Sequence, residues 1–293
     1  MQLLDGKALS NTIKEEIKVE VDKITATGAR APHLAAVLVG DDPASQSYVR
    51  SKVRSCERVG FGSTLIHESS DISEDAVLGI IADLNRNEEI DGFIVQLPLP
   101  RHIDEHKVTM AIDPKKDVDG FHPVNIGRMT IGLSAYLPAT PFGIMQMLER
   151  NAIDTSGMEC CILGRSNIVG TPMSILLSRK ANPGNATVTM CHSRTRNIPE
   201  HTLRADLLIV AMGRPNFVTA DMVKEGAVVV DVGINRVDAP ERERGYKLVG
   251  DVDFENVAPK CSFITPVPGG VGPMTVTSLL MNTLRAYRKE VYR

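Results

Sequence analysis

Residues 158–178 read MECCILGRSNIVGTPMSILLS. The run 158–163, apolar but for Glu159, is of strand length, and it passes without a polar break into Gly164 and a glycine loop that opens a helix. A strand feeding such a loop aims backbone N–H groups and the positive end of the helix dipole at an anion, usually a pyrophosphate. The spacing is not the dinucleotide GxGxxG. Ser166 stands where the second glycine would, and Gly170 comes later. The loop alone therefore fits a plain structural turn as well as a nucleotide.

Working outward, short apolar runs alternate with helical patterns on both sides. Downstream lie VTMC (188–191), LLIVAM (207–212) and AVVVDVG (227–233). Upstream, LAAVLVG (34–40), GSTLI (62–66) and GFIVQ (92–96) read as strands. Between them fall helices over 43–59, begun by Pro43, and over 73–86. Residues 5–27 carry Leu9, Ile13, Ile17, Val21 and Ile24 as one apolar stripe behind Asp5, a candidate cap. This β-α-β order implies parallel sheets with right-handed crossovers. A polar stretch from Asp113 to Asn125 leads to Thr140, expected to cap a helix with Pro141 at its first position, and the domain boundary is placed near there. A last helix is expected over about 275–290. The fold class is α/β in two domains.

Composition agrees. A chain of 293 residues with 43% hydrophobic and 24% charged residues suits two packed domains of ordinary size. A net charge of −3 and a pI near 6.2 argue against nucleic acid or an anionic membrane as partner. No apolar stretch reaches the ~20 residues of a membrane helix, and no signal-peptide run opens the chain, so a cytoplasmic protein is expected. Cys56, Cys160, Cys161, Cys191 and Cys261 show no CxxC and read as buried free thiols of a reducing compartment. His102 and His106 are spaced i,i+4 without the HExxH order, so no metal is expected.

The strand after the glycine loop sharpens the nucleotide reading. NAD-binding units place a carboxylate about 20 residues downstream, on the ribose 2′-hydroxyl. Here VTMC ends in His192-Ser193-Arg194-Thr195. A carboxylate would repel a 2′-phosphate, whereas hydroxyls and the guanidinium groups of Arg165, Arg194 or Arg196 can bind it. NADP is favoured over NAD.

Reactive side chains collect in the first half. Tyr48 and Lys52 are i,i+4 on helix 43–59 and share a face. With Val49, Val53 and Cys56 read as the buried stripe, they fall at its edge, and a half-buried Tyr beside a snorkelling Lys fits equally. Short-chain dehydrogenases use this Tyr-x-x-x-Lys spacing, but there the nucleotide loop precedes the Tyr. Gln96, followed by Leu97-Pro98-Leu99-Pro100, stands at the carboxyl end of a parallel strand, where α/β sheets bind ligands. Asp119 precedes Gly120 in KKDVDGFHPVN, which also fits an ordinary Asp-Gly turn. PVPGGVGPMT (266–275) permits close backbone approach to a ligand or makes a plain helix entry.

Taken in order, SYVRSK (47–52), GFIVQLPLP (92–100), KDVDGFHPVN (116–125), GRSNIVGTP (164–172), DVGIN (231–235), GDVDF (250–254) and PGGVGPMT (268–275) resemble the bifunctional methylenetetrahydrofolate dehydrogenase/methenyltetrahydrofolate cyclohydrolase family along essentially the whole chain. One departure is Ala139, where family members often carry Cys. The resemblance implies an N-terminal α/β substrate domain over 1–140, completed by the C-terminal helix 275–293. A Rossmann-like NADP-binding domain with a parallel sheet would span 141–274, with the active-site cleft between the two. It implies oxidation of 5,10-methylenetetrahydrofolate with NADP⁺ and hydrolysis of the product to 10-formyltetrahydrofolate, by a cytoplasmic homodimer.

Residue by residue, the resemblance assigns Lys52 to proton transfer in the hydrolysis, held by Gln96. Tyr48 would stack on the folate and Asp119 would accept from its pterin N–H groups. Leu97, Pro98, Pro268, Gly269 and Gly270 would also touch the substrate. Gly164, Arg165, Ser166, Gly170, Ser193 and Ile234 would hold NADP. Two other readings keep the scaffold: a monofunctional NAD(P) dehydrogenase in which Lys52 only positions substrate, and a silent folate- or nucleotide-binding protein.

Overall fold

The computed structural model describes residues 1–241 and 245–292. The expected domain extents also take in 242–244 and 293, which lie outside the described residues. The chain divides into two compact units, Met1–Ser10 with Thr140–Thr275, and Asn11–Ala139 with the chain from Val276 onward.

In chain order the elements begin β1 (Gln2–Leu3), α1 (Gly6–Ala26), β2 (His33–Val39), α2 (Pro43–Val59), β3 (Gly62–Glu68), α3 (Glu74–Arg86) and β4 (Gly92–Val95). The helices α4 (Glu105–Ala111), α5 (Pro123–Thr130) and α6 (Ala139–Arg150) follow. Next come β5 (Glu159–Leu163), α7 (Gly170–Ser178), β6 (Thr187–Cys191), α8 (Ile198–Thr202), β7 (Leu207–Val210) and β8 (Val228–Asp231). The chain closes with β9 (Asn235–Asp238), β10 (Tyr246–Val249), α9 (Phe254–Val257), β11 (Phe263–Ile264) and α10 (Val271–Tyr287).

The parallel α/β reading holds. In the unit of residues 11–139, three parallel strands lie in the order β3-β2-β4. β2 is central, and its residues 34–39 are all buried, as an uninterrupted apolar run demands of a strand covered on both faces. Val37, Phe93 and Ile81 of α3 meet in one core there. The other unit carries six parallel strands in the order β1-β11-β8-β7-β5-β6. Leu163, Leu208, Val210 and Val229 fill its core at 0% exposure. In the three-stranded sheet the chain starts at the inner β2, crosses to β3 and returns to β4. In the six-stranded sheet, after β1 at its edge, it enters at the inner β5, crosses to β6 and returns to β7. This opens a crevice at the carboxyl ends of β2 and β4, and of β5 and β7.

Two local expectations are corrected. Thr140 lies inside the first turn of α6, which starts at Ala139, and its hydroxyl bonds the Thr275 hydroxyl at 2.9 Å rather than capping the helix. The last helix starts at Val271, one turn before the expected position. The antiparallel pair β9–β10 was not anticipated, because its half-exposed NRVD and YKLV lack a long apolar run. Asp5 does cap α1, accepting from the Ala8 N–H at 2.9 Å. All five cysteines are free and buried, and burial pushes the Cys56 and Cys160 thiols up to about 12, which keeps them unreactive. Among the described residues no helix is long and apolar enough to cross a membrane.

Candidate active site

The first cluster is built on α2. Asp42 caps this helix by accepting from the Ser45 N–H at 2.7 Å, and Pro43 opens it. Its buried positions include Ser45, Val49, Lys52, Cys56 and Val59, a 4-3-4-3 stripe. Lys52 is thus a core position, 5% exposed, and not the edge position expected for it, while Val53 is only half-buried. The long lysine stem fills the apolar seam and carries its ammonium to the end of β4.

There Lys52 Nζ donates to Gln96 Oε1 at 3.0 Å. The Gln96 amide cannot turn freely, since its Nε2 donates to Leu97 O at 2.6 Å and its backbone N–H to Val37 O at 2.8 Å. The Lys52 ammonium also lies 4.9 Å from the centroid of the Tyr48 ring. Burial pushes the Lys52 pKa down, and the charge of Asp119 pulls it partly back. Burial raises the Asp119 carboxyl in turn, and Lys52 opposes that shift. Tyr48, Lys52, Gln96 and Asp119 therefore form one cluster.

The backbone that presents Asp119 is held by residues that sequence reasoning passed over. Asp117, 2% exposed, accepts from the N–H groups of Gly120 (3.1 Å) and His122 (2.8 Å) and from Asn125 Nδ2 (2.9 Å). Burial raises its carboxyl to about 7 against these hydrogen bonds. Asn125 Oδ1 accepts from the Tyr292 hydroxyl at 2.7 Å, and Asn282 Nδ2 donates to Val118 O at 2.8 Å. Two aspartates two apart in KDVDG were the available signal, and only the second was read as functional. A cavity of about 20 Å³, lined by Val95, Leu97, Asp117, Asp119 and Phe121 among others, has room for about one water molecule.

The second cluster lies in the other unit. Gly164 follows β5 at φ 126°, and a Cβ there would sit 2.3 Å from Ala211 O at the end of β7. Only glycine allows this approach. Ser166, in the second-glycine position, closes the loop from within: its Oγ accepts from the Val169 N–H at 3.1 Å and its carbonyl from the Thr171 N–H at 3.0 Å. Arg165 and Ser166 are exposed, and Gly170 is the first residue of α7. After β6 the chain turns at once, with the His192 N–H on Thr195 Oγ1 at 2.9 Å and the Arg194 N–H on His192 Nδ1 at 3.1 Å. Ser193 and Arg194 face water, and the turn holds no carboxylate. Ile234, beyond β8, is 54% exposed.

A close-approaching glycine turn, exposed Arg165 and Ser166, and a carboxylate-free turn after the neighbouring strand fit a dinucleotide with a 2′-phosphate. In the same unit the loop at Pro268 is tied to the start of α1, for Gly269 O accepts from the Lys7 N–H at 2.8 Å.

Residues 4–119 match the model of the tetrahydrofolate dehydrogenase/cyclohydrolase catalytic domain, and residues 138–291 that of the NAD(P)-binding domain of the same family. The chain belongs to the tetrahydrofolate dehydrogenase/cyclohydrolase family. The expected resemblance is borne out over the whole length. The bifunctional protein FolD of Cytophaga hutchinsonii is 64% identical over 98% of this chain and 99% of its own. The crystal structure of the bifunctional FolD methylenetetrahydrofolate dehydrogenase/cyclohydrolase of Campylobacter jejuni superposes with a TM-score of 0.93, at 49% identity over 99% of both chains. The N5,N10-methylenetetrahydrofolate dehydrogenase-cyclohydrolase of Trypanosoma brucei, solved with NADP cofactor and an inhibitor, gives a TM-score of 0.92 at 35% identity, covering 99% of this chain and 98% of that one.

Proposed function

We propose that the chain oxidises 5,10-methylenetetrahydrofolate to 5,10-methenyltetrahydrofolate with NADP⁺ and hydrolyses the product to 10-formyltetrahydrofolate, an enzyme of one-carbon metabolism. Family membership supports both activities, and the observation that carries the second is Lys52, an amine at a core position fixed by Gln96.

Gly164, Arg165, Ser166, Gly170, Ser193 and Ile234 are the residues assigned to hold the dinucleotide, which supplies the acceptor for the hydride. The oxidation asks alignment of the protein rather than an acid or base. Tyr48 offers a ring on which a pterin can stack, and Leu97 and Pro98 are assigned to touch the substrate. Asp119 offers two oxygens to paired pterin N–H groups, the match a carboxylate makes best.

Hydrolysis asks for more, because water must lose a proton and a ring nitrogen must gain one. Lys52 Nζ is the group assigned to move it. Burial lowers its pKa toward the working range, and a bound cationic substrate would lower it further. Gln96 keeps the amine pointed by accepting one of its hydrogens, with the amide oriented by Leu97 O.

The test follows reduced dinucleotide and methenyl absorbance together, with NADP⁺ and NAD⁺ compared. Reduced NADP without methenyl accumulation is the expected result. Methenyl accumulation would remove the hydrolysis, and equal rates with NAD⁺ would remove the cofactor preference. The chain is further proposed to act in the cytoplasm as a homodimer, which sedimentation velocity tests.

A further inference from the structure

Apart from Ile234, the motifs DVGIN and GDVDF take no part in the chemistry above, yet they interlock. β8 is buried along its length and ends in Asp231. The Asp231 carboxylate accepts from the N–H groups of Gly233 (2.9 Å), Asp251 (3.0 Å) and Val252 (2.9 Å). Asp251, at 0% exposure, accepts in turn from the N–H groups of Met212 (2.6 Å), Gly213 (2.8 Å) and Arg214 (2.8 Å), and from Asn235 Nδ2 (2.8 Å).

The glycine of each motif is where the aspartate of the other sits. A Cβ on Gly250 would lie 1.8 Å from Asp231 Oδ2, and one on Gly233 would lie 2.4 Å from Asp251 Oδ1. The two motifs are therefore halves of one clamp.

Its position says what it holds. The loop after β7 is the one against which Gly164 packs, through Ala211 O. Three consecutive N–H groups converging on one carboxylate make a stiff, charge-assisted nest. Farther along, the backbone already ties the chain: the Asn216 N–H reaches Gly250 O at 3.1 Å, and the Val218 N–H reaches Asp251 O at 2.9 Å. The Asp251 side chain thus governs 212–214 in particular and, through Asn235, the loop that carries Ile234.

We propose that Asp251 is a positioning residue for the dinucleotide, setting residues 211–214 against the Gly164 turn and fixing Ile234 through Asn235. The inference rests on the nucleotide reading of the Gly164 loop. Asp231 is the anchor beneath it, since it holds the backbone of Asp251 itself.

The test is Asp251→Asn, which keeps the size and turns one acceptor oxygen into a donor facing donors. NADP⁺ binding is measured by isothermal titration calorimetry on wild type and variant. Hydrolysis of supplied methenyltetrahydrofolate, which consumes no dinucleotide, is measured on the same samples. The expected result is a dissociation constant for NADP⁺ raised about tenfold or more, with hydrolysis within about threefold of wild type. Asn235→Ala, which removes one of the four bonds, should move NADP⁺ binding in the same direction by less, and it carries the test if Asp251→Asn does not fold. Unchanged NADP⁺ affinity, or hydrolysis that falls as far as the affinity, overturns the role. Wild-type protein that binds no NADP⁺ overturns the nucleotide reading itself, and the first titration shows it.

Discussion

Lys52 stands on the buried stripe of α2 and donates a hydrogen bond, 3.0 Å long, to Gln96 Oε1. A helix that needed only packing would carry leucine or methionine there. The amine sits where its charge is disfavoured and its direction is fixed, two conditions for proton transfer near neutral pH.

Lys52→Met should therefore lower methenyltetrahydrofolate hydrolysis by about 10²- to 10⁴-fold while leaving measurable hydride transfer. Following methenyl decay and NADPH formation in separate assays checks this, and equal loss of both would refute the assignment.

The same residue makes a pH prediction. Its folded pKa lies below the unfolded value, so between the two the unfolded chain binds more protons and stability rises with pH. The burial penalty of the ammonium is fully present below the folded pKa and is relieved as pH climbs toward 10.5. The thermal midpoint of Lys52→Met relative to wild type should accordingly be more favourable at neutral pH than at pH 10. A difference that grows with pH contradicts the sign.

Asp117 behaves oppositely. Its carboxyl is raised from 3.8 to about 7 by burial, so over that window the native protein binds more protons and stability falls as pH rises. Asp117→Asn, which cannot ionise, should flatten the decline in unfolding free energy between pH 4 and 7, by up to about 1.4 kcal/mol for each pH unit. Denaturant midpoints at several pH values measure it. Asp231, raised to about 6 by burial, keeps part of the slope in the variant.

Asp119→Ala should weaken both reactions through substrate binding, raising the KM for methylenetetrahydrofolate about tenfold or more, as loss of a bidentate charged acceptor does. Steady-state kinetics with either folate substrate test it. An unchanged KM would leave Asp119 as a turn residue only.

Arg194→Ala removes an exposed guanidinium from the turn after β6. The KM for NADP⁺ should rise about tenfold, with that for NAD⁺ nearly unmoved, because only the former carries the 2′-phosphate. Equal shifts for both nucleotides would move Arg194 away from that phosphate.

Much of this was legible in the sequence. The run 34–40 announced a buried strand, and Pro43 marked the start of α2 at the residue where it begins. What failed is instructive. Lys52 was placed at the edge because Val49, Val53 and Cys56 read as the buried stripe, although 45, 49, 52, 56 and 59 keep a helical period straight through the lysine. Asp117, Asp231 and Asp251 stayed invisible as anchors because most of their partners are backbone N–H groups, which have no signature in sequence. The one trace was glycine: Gly233 and Gly250 each stand two residues or fewer from an aspartate that the other motif's glycine must clear.

The way the chain is shared between its two units limits how the gene can be divided. One unit takes residues 1–10 and 140–275, the other 11–139 and the chain from 276 onward, so the backbone passes from one to the other three times. A fragment ending at 139 would keep β1 without β11, its parallel partner, and would lose Asn282, which bonds the carbonyls of Val118 and Leu137 beside Asp119. Neither half is a cassette that recombination could lift out whole, and an isolated nucleotide module would have to be cloned as a permuted chain, with the first ten residues joined back to 140–275 by a linker.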